Sequence, residues 1–173
     1  MNVVELPPEG TDLFIAIVVG RFNEYAGRGE LEACLDELKK LGVPEENITV
    51  MHVPGALEIP MAMQMIAEAA PYTDAMIGLG AVVRGETYHF EVVSNESASG
   101  MMRVQLDTGI PVANGVLTVE NDEQAVARLE MKGRDCARCA VEMANYSLAF
   151  DALAMEHDED DEDDEEDDDE RNA

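Results

Sequence analysis

The chain has 173 residues, 38 of them acidic and 11 basic, for a formal net charge of −27 at neutral pH. That length suits one domain with a small appendage. Nothing basic gathers into a patch, which argues against nucleic-acid binding. The longest amino-terminal apolar run, Leu13 to Val19, is far shorter than the roughly 20 residues that cross a bilayer.

The stretch from Glu156 onward holds 14 of the acids and one base, Arg171. The body up to residue 155 keeps 24 acids against 10 bases, and its only lysines are Lys39, Lys40 and Lys132. An excess spread through body and tail points to solubility in a salt-rich cytoplasm, where the Debye length shrinks to about 3 Å at 1 M and like charges are screened. A basic partner is the competing reading. Residues 158–170 are almost pure Asp and Glu, a composition that buries no apolar surface. The expected division is therefore a domain over 1–155 and a disordered acidic tail over 156–173. Three cysteines, an odd number, suit a reducing interior, and nothing resembles a signal peptide. Cys136-x-x-Cys139 has thiol or metal spacing but no second pair and no nearby His, so it reads as small helix positions, with no metal site expected.

Along the chain, Pro7-Pro8 keeps residues 1–12 irregular. Leu13 to Val19 is wholly apolar and partly β-branched, a central strand buried on both faces. The spacing of Leu31, Leu35, Leu38 and Leu41 predicts an amphipathic helix over 29–41, stopped by Gly42. A second strand spans 48–53, followed by a helix with Pro60 in its first turn and Met61, Met65 and Ile66 near one face. Ala75 to Leu79 is a third buried strand, and residues 91–106 have helical spacing. A fourth strand runs from Val112 through Thr118, then a short helix over 122–128 and a longer one from Gly133 to about Met155. This alternation of strand and helix predicts a parallel sheet with helices on both faces.

The chemistry concentrates after the third strand, in Arg84-Gly85-Glu86-Thr87-Tyr88-His89. In open parallel sheets ligands bind at the carboxyl edge of the strands. Free N–H groups at a helix start, with Gly85 letting the backbone approach closely, suit an anion such as phosphate. Thr87 adds a donor, and His89 is the side chain suited to move protons near neutral pH. Taken alone, the stretch reads more readily as an ordinary strand-to-helix connection with an incidental histidine.

Other strand ends carry unusual residues too: Arg21-Phe22-Asn23, Pro54-Gly55-Ala56-x-Glu58, Gly115-Val116-Leu117-Thr118, then Glu123-Gln124-Ala125 with Arg128, and Lys132-Gly133. In this order and near these spacings the chain, from about Ile15 to Ala149, resembles the 6,7-dimethyl-8-ribityllumazine synthases of riboflavin biosynthesis. The resemblance implies a flavodoxin-like three-layer α/β/α sandwich on a four-stranded parallel sheet. It also implies pentamers, alone or assembled into decamers or sixty-subunit shells, with active sites between neighbouring subunits. The implied reaction joins 5-amino-6-(D-ribitylamino)uracil to 3,4-dihydroxy-2-butanone 4-phosphate, releasing phosphate and water without a cofactor.

On that resemblance, Phe22 offers a flat face to the pyrimidine, Asn23 bonds ring or ribityl groups, and Glu58 accepts from ribityl hydroxyls. Gly55 and Ala56 keep the backbone open, and the backbone at Val82 and Val83 reads the uracil edge. Gly85, Glu86, Thr87 and Arg128 form the phosphate site, with Arg128 reaching across a subunit boundary. His89 shuttles the proton that leaves the attacking amine and the one that reaches the carbinolamine oxygen. Read without the family, Glu58 is a helix-start charge, Asn23 a turn residue and Arg128 a solvated helix charge.

Two departures stand out. Where the family often carries an aromatic before Gly-Val-Leu-Thr, packing on the substrate from the adjacent subunit, this chain has Asn114. The segment between Arg128 and Lys132 is shorter than in many relatives, which bears on the substrate-side role implied for Lys132. An archaeal-type riboflavin synthase and a non-catalytic flavin-binding shell protein are the rival readings. The set Phe22, Glu58, Thr87, His89 and Arg128 favours the synthase.

Overall fold

The computed structural model describes residues 3–169, with side chains up to residue 154. Along it follow β1 (Ile15–Gly20), α1 (Glu24–Lys40), β2 (Ile48–Val53), α2 (Ile59–Ala69), β3 (Ala75–Val83), α3 (His89–Thr108), β4 (Val112–Val119), α4 (Asp122–Val126) and α5 (Leu129–Asp169). All strand pairings are parallel, in the order β2-β1-β3-β4. Helices cover both faces, so the fold is the expected flavodoxin-like three-layer sandwich.

Strand periodicity sorts the core into two halves. Ile15, Ile17 and Val19 of β1 and Ile77 and Leu79 of β3 pack with Cys34 and Leu38 of α1 and Ala137, Ala140 and Val141 of α5. Ala16 and Val18 of β1 and Met76 of β3 face Ile59, Met63 and Ile66 of α2 and Met101 and Val104 of α3. A strand covered on both sides must be apolar at every position, which is why β1 and β3 stand out in the sequence.

The helices differ in detail from the sequence reading. α1 begins at Glu24 rather than residue 29, because Gly27 lies inside it instead of before it. A Cβ at Gly27 would sit 2.8 Å from Val19 Cγ1, so the glycine lets the helix lie directly against β1. The inward face of α1 is also rotated: Ala26, Glu30, Ala33, Cys34, Glu37 and Leu38 are buried, while Leu31, Leu35 and Leu41 are half-buried at its margin. In α2 the buried face is Ile59, Ala62, Met63 and Ile66; Met61 and Met65 point to solvent. β3 runs four residues past Leu79, to Val83.

α5 starts at Leu129, four residues before Gly133, and its backbone is helical to Asp169. Cys136 is buried in the core and Cys139 exposed. Arg138 Nη2 and Nε reach Glu37 Oε1 at 2.6 and 2.8 Å, clasping α5 to α1, while Lys40 Nζ within α1 reaches Glu37 Oε2 at 3.1 Å. Of the tail expected to be disordered, residues 156–169 are described by their backbone alone and residues 170–173 lie outside the described residues. No helix among the described residues is long and apolar enough to cross a membrane.

Candidate active site

The chain leaves β1 for β2 on one side and returns to β3 on the other, so β1 and β3 are the switch point at which parallel sheets leave a crevice at their carboxyl edge. The crevice is deepened by a difference in ladder length. β1 and β3 pair only as far as Val19 and Leu79, while β3 continues along β4 to Val83 and Val119. From Gly80 onward the side of β3 that faced β1 is therefore released. The Asn23 amide donates to Ala81 O at 3.0 Å, and Glu30 Oε2 accepts from Gly80 N–H at 2.8 Å.

Opposite, β1 and β2 stay joined beyond their strands: Arg21 N–H donates to Val53 O and Phe22 N–H to Pro54 O, both at 2.9 Å. This draws Phe22 onto the Gly55 loop. A Cβ at Gly55 would lie 3.1 Å from Phe22 Cδ2 and 3.2 Å from Glu58 Oε2. Gly55 thus lets the ring and the carboxylate stand side by side. Phe22 remains 74% exposed, which leaves a flat apolar face open beside the Glu58 carboxylate and suits a ligand platform. Asn23 turns the chain into α1 from the left-handed region (φ 56°, ψ 55°), a conformation asparagine tolerates better than most residues.

The result is a cleft of about 310 Å³ in which Phe22, Asn23, Gly55, Ala56 and Glu58 face Val82, Val83 and His89. His89 is the first residue of α3, exposed at the cleft wall. Three further lining residues, Leu57, Ala81 and Val93, were not anticipated. Val93 lies one turn beyond His89, and the four-residue spacing alone would have placed it on the same helix face. A larger hollow of about 460 Å³ opens at the amino end of the strands, between β2 and α2. It holds no imidazole, its one carboxylate is Glu46, and it is at the wrong edge of a parallel sheet for ligand chemistry.

Gly85, Glu86 and Thr87 are exposed and span the cleft edge between Val83 and His89. Apart from its chain neighbours, nothing lies within 4 Å of where a Cβ at Gly85 would be, so this edge stands open. Asn114, Arg128 and Lys132 are not brought to the cleft of their own chain. Asn114 is exposed on β4, its Oδ1 accepting from Val116 N–H at 3.0 Å. Arg128 is exposed beyond α4 and donates to Gln124 O at 2.8 Å. Lys132 is half-buried in α5, on the α1 side of the sheet, where its charge acts on Glu30 and Cys136.

Glu30 is the most perturbed group beside the site. It is fully buried, and burial pushes its carboxyl up to about 8, against smaller downward pulls from the Gly80 N–H and Lys132. Tyr25 donates to Asp122 at 2.6 Å, tying the start of α1 to α4; burial first, then that bond and the Asp122 charge, push its hydroxyl up to about 12.

The cleft pairs an apolar platform and a carboxylate with an imidazole and an open helix start. Residues 12–147 match the family model for 6,7-dimethyl-8-ribityllumazine synthase. The chain is 60% identical to the 6,7-dimethyl-8-ribityllumazine synthase of Paraburkholderia phymatum over 145 residues, 84% of each chain. It is 59% identical to that of Cupriavidus necator over 152 residues, 88% of this chain and 91% of the relative. A flavodoxin-like sheet, a cleft at its switch point and these matches lead to one assignment: the chain belongs to the 6,7-dimethyl-8-ribityllumazine synthase family.

Proposed function

We propose that the cleft between Phe22, Glu58 and His89 is where this transferase condenses 5-amino-6-(D-ribitylamino)uracil with 3,4-dihydroxy-2-butanone 4-phosphate, releasing phosphate and water in riboflavin biosynthesis. The pyrimidine lies on the Phe22 ring, with Asn23 and the backbone of Val82 and Val83 at its polar edge and Glu58 accepting from the ribityl hydroxyls. Gly55 and Ala56 leave room for that approach. The butanone phosphate sits over Gly85, Glu86 and Thr87, at the start of α3, where N–H groups and the helix dipole favour an anion.

His89 then stands between the two substrates. As the amine attacks the ketone the imidazole takes its proton, and it returns one to the carbinolamine oxygen as water leaves. Acid–base help of this kind contributes about 10²–10⁴-fold. Holding the two reactants together can contribute about 7–11 kcal/mol more. The observation that carries this reading is the convergence of Phe22, Glu58 and His89 on one cleft. Its test is phosphate release with both substrates: His89→Ala is expected to slow turnover by 10²–10⁴-fold while leaving pyrimidine binding intact. Unchanged turnover contradicts it.

The working unit is a homo-oligomer, a pentamer or a multiple of pentamers, in which Arg128 and Asn114 serve a neighbour's cleft. Support comes from the placement of those two residues away from their own cleft, and from a β2 edge left unpaired among the described residues, with Thr49 and Val50 exposed. Arg128 supplies a bidentate phosphate ligand, and Asn114 offers a hydrogen bond where relatives often stack an aromatic. The acidic body carries a domain over 1–155, with 156–173 as a solvating tail, in a chain adapted to a salt-rich cytoplasm. The charge of −27 supports that adaptation through self-repulsion that salt relieves.

A further inference from the structure

Arg84 stands on the cleft side of the molecule, yet its guanidinium is already engaged. Its Nη1 pairs with Glu91 and its Nε donates to Glu120 Oε2 at 3.3 Å. Its Cζ lies 3.9 Å from the centre of the Phe90 ring, and its backbone N–H is fixed to Val119 O at 2.9 Å. Glu91 and Phe90 are the two residues that follow His89, and Glu120 follows the end of β4. A planar guanidinium can bridge two carboxylates and stack on a ring at once, which a point-charge ammonium cannot do.

We propose that Arg84 is a positioning residue: by pinning residues 90 and 91 to the end of β4, it holds the imidazole of His89 at the cleft. This rests on the reading of His89 as the proton carrier. Partly exposed ion pairs contribute little to stability, so a purely structural role would leave a nearly silent substitution. Glu91 and Glu120 take its Nη1 and Nε and set two negative charges beside it, which disfavours a direct phosphate role.

The test is a cycle of Arg84→Gln, His89→Ala and the double variant of the full chain, followed by steady-state kinetics with both substrates and by melting. Coupling through one residue appears as non-additivity. Arg84→Gln is expected to lower kcat roughly tenfold, inside the 10²-fold that an ångström of misplacement can cost, with both KM values and the melting temperature nearly unchanged. In the His89→Ala background it should cost nothing further. Should Arg84→Gln not fold, Glu91→Gln cuts the same tie from the other end and should give the same pattern. Equal losses in both backgrounds overturn the positioning role while leaving His89 in place. A raised KM for the butanone phosphate with kcat intact overturns it in favour of direct phosphate contact. His89→Ala turning over like wild type overturns the His89 reading itself and the positioning role with it.

Discussion

Glu30→Gln is expected to change how stability responds to pH. The wild-type carboxyl is fully buried, gives one oxygen to Gly80 N–H at 2.8 Å and has no partner for the other among the described residues. Burial raises it from an ordinary 4.5 to about 8. A carboxyl held above its unfolded value binds its proton more tightly in the folded state. Its contribution is therefore complete below about pH 4.5 and is lost as pH rises through about 8. At about 1.36 kcal/mol per tenfold change in proton affinity, the loss is on the order of 4–5 kcal/mol. Glutamine keeps the acceptor for Gly80 and removes the titration. Denaturant unfolding at one protein concentration and constant salt, at pH 5, 7 and 9, should show the wild type weakening relative to Glu30→Gln at each step. The other acids are common to both proteins, so the difference isolates Glu30. Parallel curves for the two proteins across that range would refute the reasoning.

Gly133→Ala should be destabilising by more than the 1–3 kcal/mol usual for overpacking, since its Cβ would fall 2.3 Å from the Glu30 carbonyl oxygen and force α5 off α1; thermal melting checks this. At Asn23, alanine should cost about 1 kcal/mol more than glycine, because both lose the bond to Ala81 but only alanine resists the left-handed turn; paired denaturant melts decide it. Raising salt from dilute buffer to molar concentration should raise the melting temperature by screening a charge of −27, and an unchanged melt would contradict the salt adaptation.

The fold was legible where a residue's environment followed from its neighbours in sequence. β2 runs from Ile48 to Val53 as read, because a β-branched run ends at Pro54-Gly55. The cleft residues from Phe22 to His89 were legible for a similar reason: parallel strands deliver whatever follows them to one edge. The inward face of α1 was not, since the leucine stripe ignores the demands of a helix pressed between a sheet and α5. Close packing there selects Ala33, Cys34 and Glu30 and leaves Leu31 and Leu35 at the margin. Met63, not Met61 or Met65, fills the α2 core, a choice set by the helix's rotation and not by residue type. Lys132 has a charge suited to a phosphate but sits beside Glu30, where only the α1–α5 contact puts it. Arg84 has no assigned role in the sequence, because its partners Glu91, Glu120 and Phe90 meet only in the fold.

A crystal structure of the full chain with its lumazine product tests the central claim most directly. The account predicts the bicyclic ring against Phe22, the ribityl chain toward Glu58 and His89 on the same cleft wall. Product bound instead in the hollow beside Phe14 and Tyr72, with the Phe22 cleft empty, would contradict it.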